Sequence, residues 1–281
     1  MTALVRPKAS AGGTVVVFND TRVDHHHGCS RVMQALDELI AGIGLGISAY
    51  APAHSDWAQD PAVSKALETA SLLVVNGEGT LHHNSKSGLK LLQVAERARA
   101  LGIPSVLLNC GWQDNGPEFV TLLRQFTLVS ARDSQSAAQM RQAGVSCTLV
   151  PDLSLYSSYA SSSRARQGVG FTDSVIRPMS LHLEQVRRAC QGLTSPIQFA
   201  PPGAKGLYRF YREYVGKSDL QRPLVLAAML GLRARQHAAQ ALTAQGYMDH
   251  LAELELLVSG RFHACTLAMV ARTPFIAVSS N

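Results

Sequence analysis

Residues 72–84 read LLVVNGEGTLHHN, an apolar run that stops abruptly at two glycines, a carboxylate, a hydroxyl and two adjacent imidazoles. Leu72–Val75 reads as a strand, and a helix is expected to begin near Ser85. An unbroken apolar run of this kind belongs to a strand covered on both faces, as in the parallel sheet of an α/β protein. The loop between strand and helix is therefore the place where chemistry would sit, outside the carboxyl end of the strand. Gly77 and Gly79 permit backbone angles that other residues resist and let main-chain N–H groups approach an oxyanion, to which the helix N-terminus would add its positive end. No GK[ST] follows and no GxGxxG is present, so the loop is neither a Walker loop nor a dinucleotide fingerprint. The plainer reading is a glycine turn with His82 and His83 on the surface.

The same alternation extends in both directions. Thr14–Phe18 (TVVVF) is a second apolar strand, and Val32, Leu36, Leu39, Ile40 and Ile43 follow at helical spacing. A helix through Leu89, Leu92, Val94 and Ala98 should end near Gly102. Strands are expected at Ser105–Asn109, Phe126–Ser130 and Cys147–Val150, with a helix over 134–143. The stretch SSYASSSRARQG (157–168) is the most linker-like in the chain. Beyond it the pattern predicts a strand at Gly168–Thr172 and a helix at His182–Gln191. A loop is expected at 200–206, an apolar strand or helix at 224–229 and a helix at 233–245. The end of the chain reads as a strand at Leu254–Val258, a helix over 263–271 and a strand at Pro274–Val278. The expectation is two α/β halves, 1–160 and 161–281, each with a parallel sheet.

Composition narrows the function classes. With 46% hydrophobic and 16% charged residues the 281-residue chain reads as globular. No apolar stretch approaches the ~18 residues of a membrane span, and the first 13 residues lack the apolar core of a secretory signal, reading instead as a short lead-in. Five scattered cysteines without zinc-type spacing fit reduced thiols in a cytoplasm. Residues 1–160 carry 12 Lys+Arg against 13 Asp+Glu, a net of −1, whereas residues 161–281 carry 14 against 7, a net of +7. A basic half suits an anionic substrate or a phosphate-bearing donor. The absence of aromatic interleaving argues against nucleic acid.

Four polar clusters fall at expected strand ends: NDTRVDHHHGC (19–29), NGEGTLHHN (76–84), Phe171–Ser174 and Ser259–His263. Asn19 and Asp20 either fix a turn or touch a ligand. Three consecutive histidines, 25–27, cannot all face one ion, and no HExxH accompanies them, so no metal is expected. In an extended segment Arg261 and His263 would point the same way and Phe262 into the core, which makes a compact anion-plus-proton site.

The C-terminal SGRFHACTLAMVARTPFIAVSSN (259–281), the NGEGTLHHNS loop and the early NDTRVDHHHGCSRVM segment resemble the polysaccharide pyruvyl transferase family. The resemblance fades between about residues 175 and 250. It implies a GT-B-like α/β enzyme of two Rossmann-type domains with parallel sheets and an interdomain cleft. The implied reaction moves a pyruvyl group from phosphoenolpyruvate, a co-substrate rather than a cofactor, to a sugar of a cell-surface polysaccharide or its lipid-linked precursor. Arg261 and His263 match the arginine and histidine associated in the family with donor binding and catalysis. On the combined reading His263, Glu78, His82, His83 and Asp173 are the catalytic candidates. Arg261, Gly77, Gly79, Thr80, Ser174 and Asn281 would hold the donor, and Asn19, Asp20, His26 and His27 the acceptor. The enzyme would be cytoplasmic, meeting its lipid-linked acceptor at the inner membrane surface. Family members usually continue past the last asparagine with a histidine–lysine pair and a helix; a chain ending at Asn281 would leave the second domain incompletely covered. The competing readings are a glycosyltransferase using a nucleotide-activated sugar, for example a CMP-linked acidic one, with Asp173 as nucleophile or base, and a non-catalytic sugar- or phosphate-binding module.

Overall fold

Alternate residues of TVVVFND, strand β1 (Thr14–Asp20), enter two different cores. Val15 and Val17 pack with Val32, Leu36 and Ile40 of helix α1 (His27–Gly42), while Val16 and Phe18 pack with Leu73, Val75 and Leu107. Period-2 side-chain alternation on a sheet apolar on both faces forces this division. Each such fully buried side chain contributes about 1.5–3 kcal/mol. The computed structural model describes residues 12–156, 159, 165–199 and 243–279. The expected lead-in, most of the 157–168 linker, the 200–206 and 224–229 segments, most of the 233–245 helix, and Asn281 lie outside the described residues.

The chain divides into two compact units. One holds the residues up to Val23 with Val32–Leu153, and the other holds Asp24–Arg31 with the chain from Ser154 onward. The sequence reading ran 24–31 with the first half; these residues group with the second.

In the first unit β1 is flanked by β2 (Gly46–Pro52) and β3 (Ala70–Asn76), followed by β4 (Ser105–Cys110), β5 (Leu128–Ala131) and β6 (Thr148–Leu149). The order is β2-β1-β3-β4-β5-β6, with every pairing parallel. The order reverses between β1 and β3, a topological switch point, and in such sheets ligands bind outside the carboxyl ends of the strands there. Helices α2 (Pro61–Leu67), α3 (Lys86–Leu92), α4 (Val94–Leu101), α5 (Pro117–Leu123) and α6 (Ser134–Gln142) complete the unit.

The second unit carries β7 (Val169–Ser174), β8 (Leu193–Thr194), β9 (Leu256–Gly260) and β10 (Phe275–Ala277) in the order β10-β9-β7-β8, again all parallel. Among the described strands its switch point lies between β7 and β9. Helices α7 (Arg177–Ala189), α8 (Ala244–Ala252) and α9 (Phe262–Val270) belong to it, and the Leu251, Leu257, Leu267 and Ala268 side chains form its core.

Several expectations shift. The single helix over 89–98 is two, α3 and α4, broken at Gln93. Lys90's carbonyl, the ladder partner of the Val94 N–H in an unbroken helix, accepts the Trp57 indole N–H at 3.2 Å. Gly102 ends α4 in the left-handed conformation, φ 68°, as its position suggested. Strand β2 carries no apolar run because it is an edge strand with exposed residues alternating along it. The short α2 and α5, seven residues each, are set by local signals instead of periodicity. Asp60 caps α2 by accepting from the Ala62 and Val63 N–H groups, and Pro61 and Pro117 stand in the first turns. Among the described residues no helix is long and apolar enough to cross a membrane.

Candidate active site

At the first switch point the polar residues bind one another. Asn19 leaves β1 with φ 63° and donates through Nδ2 to the Asn76 carbonyl at 2.7 Å and to Thr80 Oγ1 at 3.2 Å. The Thr21 hydroxyl donates to Glu78 Oε2 at 2.8 Å, and Asn76 Nδ2 donates to the same oxygen at 3.2 Å. Glu78 N–H donates back to Asn76 Oδ1, and the Thr80 hydroxyl donates to the Glu78 carbonyl at 2.8 Å. Asn19, Thr21, Asn76 and Glu78 are all buried. Asp20 is held on both carboxylate oxygens by Arg22, whose guanidinium also reaches Asp37 and lies over the Tyr50 ring. The Asp20 hydrogen bond keeps Arg22 above its ordinary range.

The two glycines of the opening loop do different work. A Cβ on Gly77 would lie 2.9 Å from Cys110 Cα, so this position needs glycine for close packing against the end of β4. Gly79 takes φ 60° in open space, a conformational requirement. Ser85 caps α3 by accepting from the Gly88 N–H at 3.1 Å. His82 and His83 are exposed, with their Nδ1 atoms 3.2 Å apart, and His83 faces Asp114 at 3.4 Å.

At the second switch point the groups are of a different kind. The Arg261 guanidinium donates to Asp173 through Nε at 2.8 Å and through Nη2 at 2.5 Å, a bidentate pair joining the ends of β9 and β7. The Arg261 N–H donates to Ser259 Oγ at 3.0 Å, and Ser259 and Thr172 hydroxyls share a 2.8 Å bond. Ser174 is buried; its hydroxyl accepts from the Ile176 N–H, and it packs where a Cβ on Gly260 would come within 2.5 Å of its own. It shapes the turn into α7.

Arg261 is the N-cap of α9, so Phe262 and His263 are its first helical residues. The extended geometry expected for 261–263 does not hold: Phe262 is 49% exposed and His263 only 8%. Helical spacing of about 100° per residue, rather than 180°, turns His263 inward and Phe262 out.

The three histidines separate in the second unit. His26 forms an isolated antiparallel bridge with Gln198: His27 N–H donates to the Ile197 carbonyl and Phe199 N–H to the His25 carbonyl, each at 2.9 Å. His27 is 1% exposed and lies between Tyr247, stacked at 4.6 Å, and Phe199 at 4.7 Å. Its ring is a packing element. Tyr247 is buried, which raises its phenol above the ordinary range, and it donates to the Ser195 carbonyl at 3.0 Å. His25 meets the edge of Phe199. His26 alone turns toward His263, ring centroids 5.5 Å apart. Burial, followed by the neighbouring His263, Arg261 and His27, pushes His26 well below the ordinary imidazole range. Gly28 makes the approach possible, since a Cβ there would sit 2.2 Å from His263 Cβ. The ligand atoms of His26, Cys29 and His263 all lie within 4.8 Å of one another.

A family model described as polysaccharide pyruvyl transferase matches residues 17–281. The chain belongs to that family. It is therefore a transferase. Comparison with curated proteins finds no match. Among solved structures, UDP-GlcNAc 2-epimerase of Methanocaldococcus jannaschii in complex with UDP-GlcNAc and UDP is similar with a TM-score of 0.52 at 10% identity, over 95% of this chain and 83% of that one. The S. aureus MnaA–UDP structure scores 0.48 at 9% identity over 95% and 80%, and the E. coli heptosyltransferase WaaC 0.37 at 11% over 94% and 88%. The first of these likenesses bears on fold alone: two α/β units with parallel sheets, the Rossmann-like class of GT-B-like enzymes.

Of the expected site residues, the second unit of this pyruvyl transferase family member brings Asp173 to Arg261 and His26 to His263. The first gathers Asn19, Thr80 and Glu78 into one network and leaves His82 and His83 exposed. Sequence reasoning missed Thr21, Asn76, Gly28, Cys29, Phe199 and Tyr247. Thr21, Asn76, Gly28 and Cys29 stand inside the quoted motifs and were open to inspection; nothing local marks Phe199 or Tyr247.

Proposed function

We propose that the chain transfers a pyruvyl group from phosphoenolpyruvate to a sugar of a cell-surface polysaccharide or its lipid-linked precursor. The observation that carries this reading is the β9–α9 junction, where the first turn of one helix supplies Arg261, fixed by Asp173, and the buried imidazole of His263. Phosphoenolpyruvate presents a carboxylate and a phosphate, which a guanidinium binds well. His263 delivers a proton to the methylene carbon, C2 becomes electrophilic, and a sugar hydroxyl adds to it, its own proton returning to the His263 imidazole. A second hydroxyl then displaces phosphate and closes a ketal, its proton leaving with the phosphate. Asp173 is a positioning residue that orients Arg261. The net charge of +7 over residues 161–281 supports an anionic donor.

The test is a thermal-shift titration with phosphoenolpyruvate, CMP and UDP on the native chain and on Arg261→Ala and Arg261→Lys. Phosphoenolpyruvate at a hundred times its Kd should stabilise the native chain by roughly 2.7 kcal/mol and Arg261→Ala far less. Stabilisation by a nucleotide with none by phosphoenolpyruvate would overturn the donor assignment.

A further inference from the structure

We propose that His26, Cys29 and His263 form a binding site for a thiophilic divalent metal ion, Zn2+, with the fourth coordination position open. The three side chains come from two places in the second unit. His26 immediately precedes α1 and Cys29 lies in its first turn, three residues on, so both project from the same side of the chain entry. His263 comes from the first turn of α9.

Their ligand atoms lie within 4.8 Å of one another. In tetrahedral zinc, with Zn–N near 2.0–2.1 Å and Zn–S near 2.3 Å, neighbouring donor atoms stand about 3.4–3.6 Å apart. The remaining gap, on the order of an ångström, is one that rotation of the side chains between staggered rotamers can close. The backbone is already adapted to the approach, because Gly28 has no Cβ to strike His263. The other two histidines of the run take no part: His27 is held in its aromatic stack and His25 lies against Phe199.

Donor chemistry selects the ion. Two imidazoles and a thiolate favour zinc over magnesium or calcium, which take oxygen ligands. Three protein ligands and an open position match a site that exchanges its fourth ligand with solvent. The consequence for activity rests on the role proposed above for His263. An imidazole nitrogen bound to zinc carries no transferable proton, so zinc inhibits pyruvyl transfer.

The test uses the full chain, cleared of metal by chelation, and Co2+ as a spectroscopic probe. The expected result is a near-ultraviolet thiolate-to-cobalt band saturating at one equivalent, abolished in Cys29→Ser, weakened in His26→Gln, retained in Cys190→Ser and bleached by Zn2+. Circular dichroism of each variant separates loss of ligand from loss of fold. A band that survives Cys29→Ser, or no band in the native chain, overturns the site. Phosphate release from phosphoenolpyruvate in the presence of a sugar acceptor carrying two neighbouring hydroxyls is then followed with and without Zn2+. The ratio of inhibited to uninhibited rate should recover in Cys29→Ser, with a loss of zinc sensitivity at least as large as the roughly 10–100-fold that outer-shell changes cost. If cobalt binds but no chain releases phosphate, the function fails while the metal site stands.

Discussion

The two sheets each reverse their strand order once among the described strands, and each places a polar cluster at the reversal, yet the clusters are unlike. At the β1/β3 ends, Asn19, Thr21, Asn76, Glu78 and Thr80 spend their hydrogen bonds on one another and on backbone. At the β7/β9 ends, Arg261 and Asp173 form a charged pair at 18% and 41% side-chain exposure, and two imidazoles and a thiol draw together. Topology supplies a location in both units; residue chemistry decides its use. A network of neutral donors around a buried carboxylate holds a loop in shape. Ionisable groups gathered at the ends of helices can bind anions and move protons.

Substitutions can break or sharpen this contrast. The largest effect is expected at His263: His263→Asn should lower turnover by roughly 10²–10⁴-fold with little change in melting temperature. Unaltered turnover would remove its assignment as the proton donor. In the first unit the sign of the contrast reverses. Asn76→Ala withdraws a donor from Glu78 Oε2 and should cost about 1–3 kcal/mol of stability by denaturant titration. A large fall in turnover at unchanged stability would make the first cluster catalytic too.

Asp173→Asn keeps the shape but removes the charge that orients Arg261, and should raise the KM for phosphoenolpyruvate more than it lowers kcat. A change confined to melting temperature would make the pair purely structural. The smallest effect belongs away from both clusters. The Arg187 guanidinium, with Arg188 adding to it, holds the Glu184 carboxyl below its ordinary value of 4.5. Because the folded value lies below the unfolded one, this contribution is present above that range and disappears as pH falls through it. Glu184→Gln should therefore cost no more than about 0.5 kcal/mol near neutral pH and nothing in acid, measured as the difference between two stability–pH curves.

How much could be read beforehand varies by element. Strands β1, β3 and β4 were legible because burial on both faces leaves an apolar run that nothing else explains. Edge strand β2 and the two-residue β8 carry no such run, and their existence depends on a neighbour already in place. Both switch-point loops were recognisable as polar interruptions after apolar runs, and so were most residues of the two clusters. Their roles were not. Arg22 lay in a quoted motif without attracting notice, although its ion pair occupies both oxygens of Asp20. Phe262 was assigned to the core on an extended geometry that the N-cap at Arg261 replaces with a helix.

The sequence by itself determined the alternation of strand and helix, the parallel sheets and the family, because periodicity and short motifs are local properties of the chain. Only the tertiary structure decided what the three adjacent histidines do. The partners of His26 and His27 are His263, Tyr247 and Phe199, far along the chain and brought near by folding. Three identical side chains in a row have one local propensity, and what distinguishes them is the surface each meets when distant segments close around them.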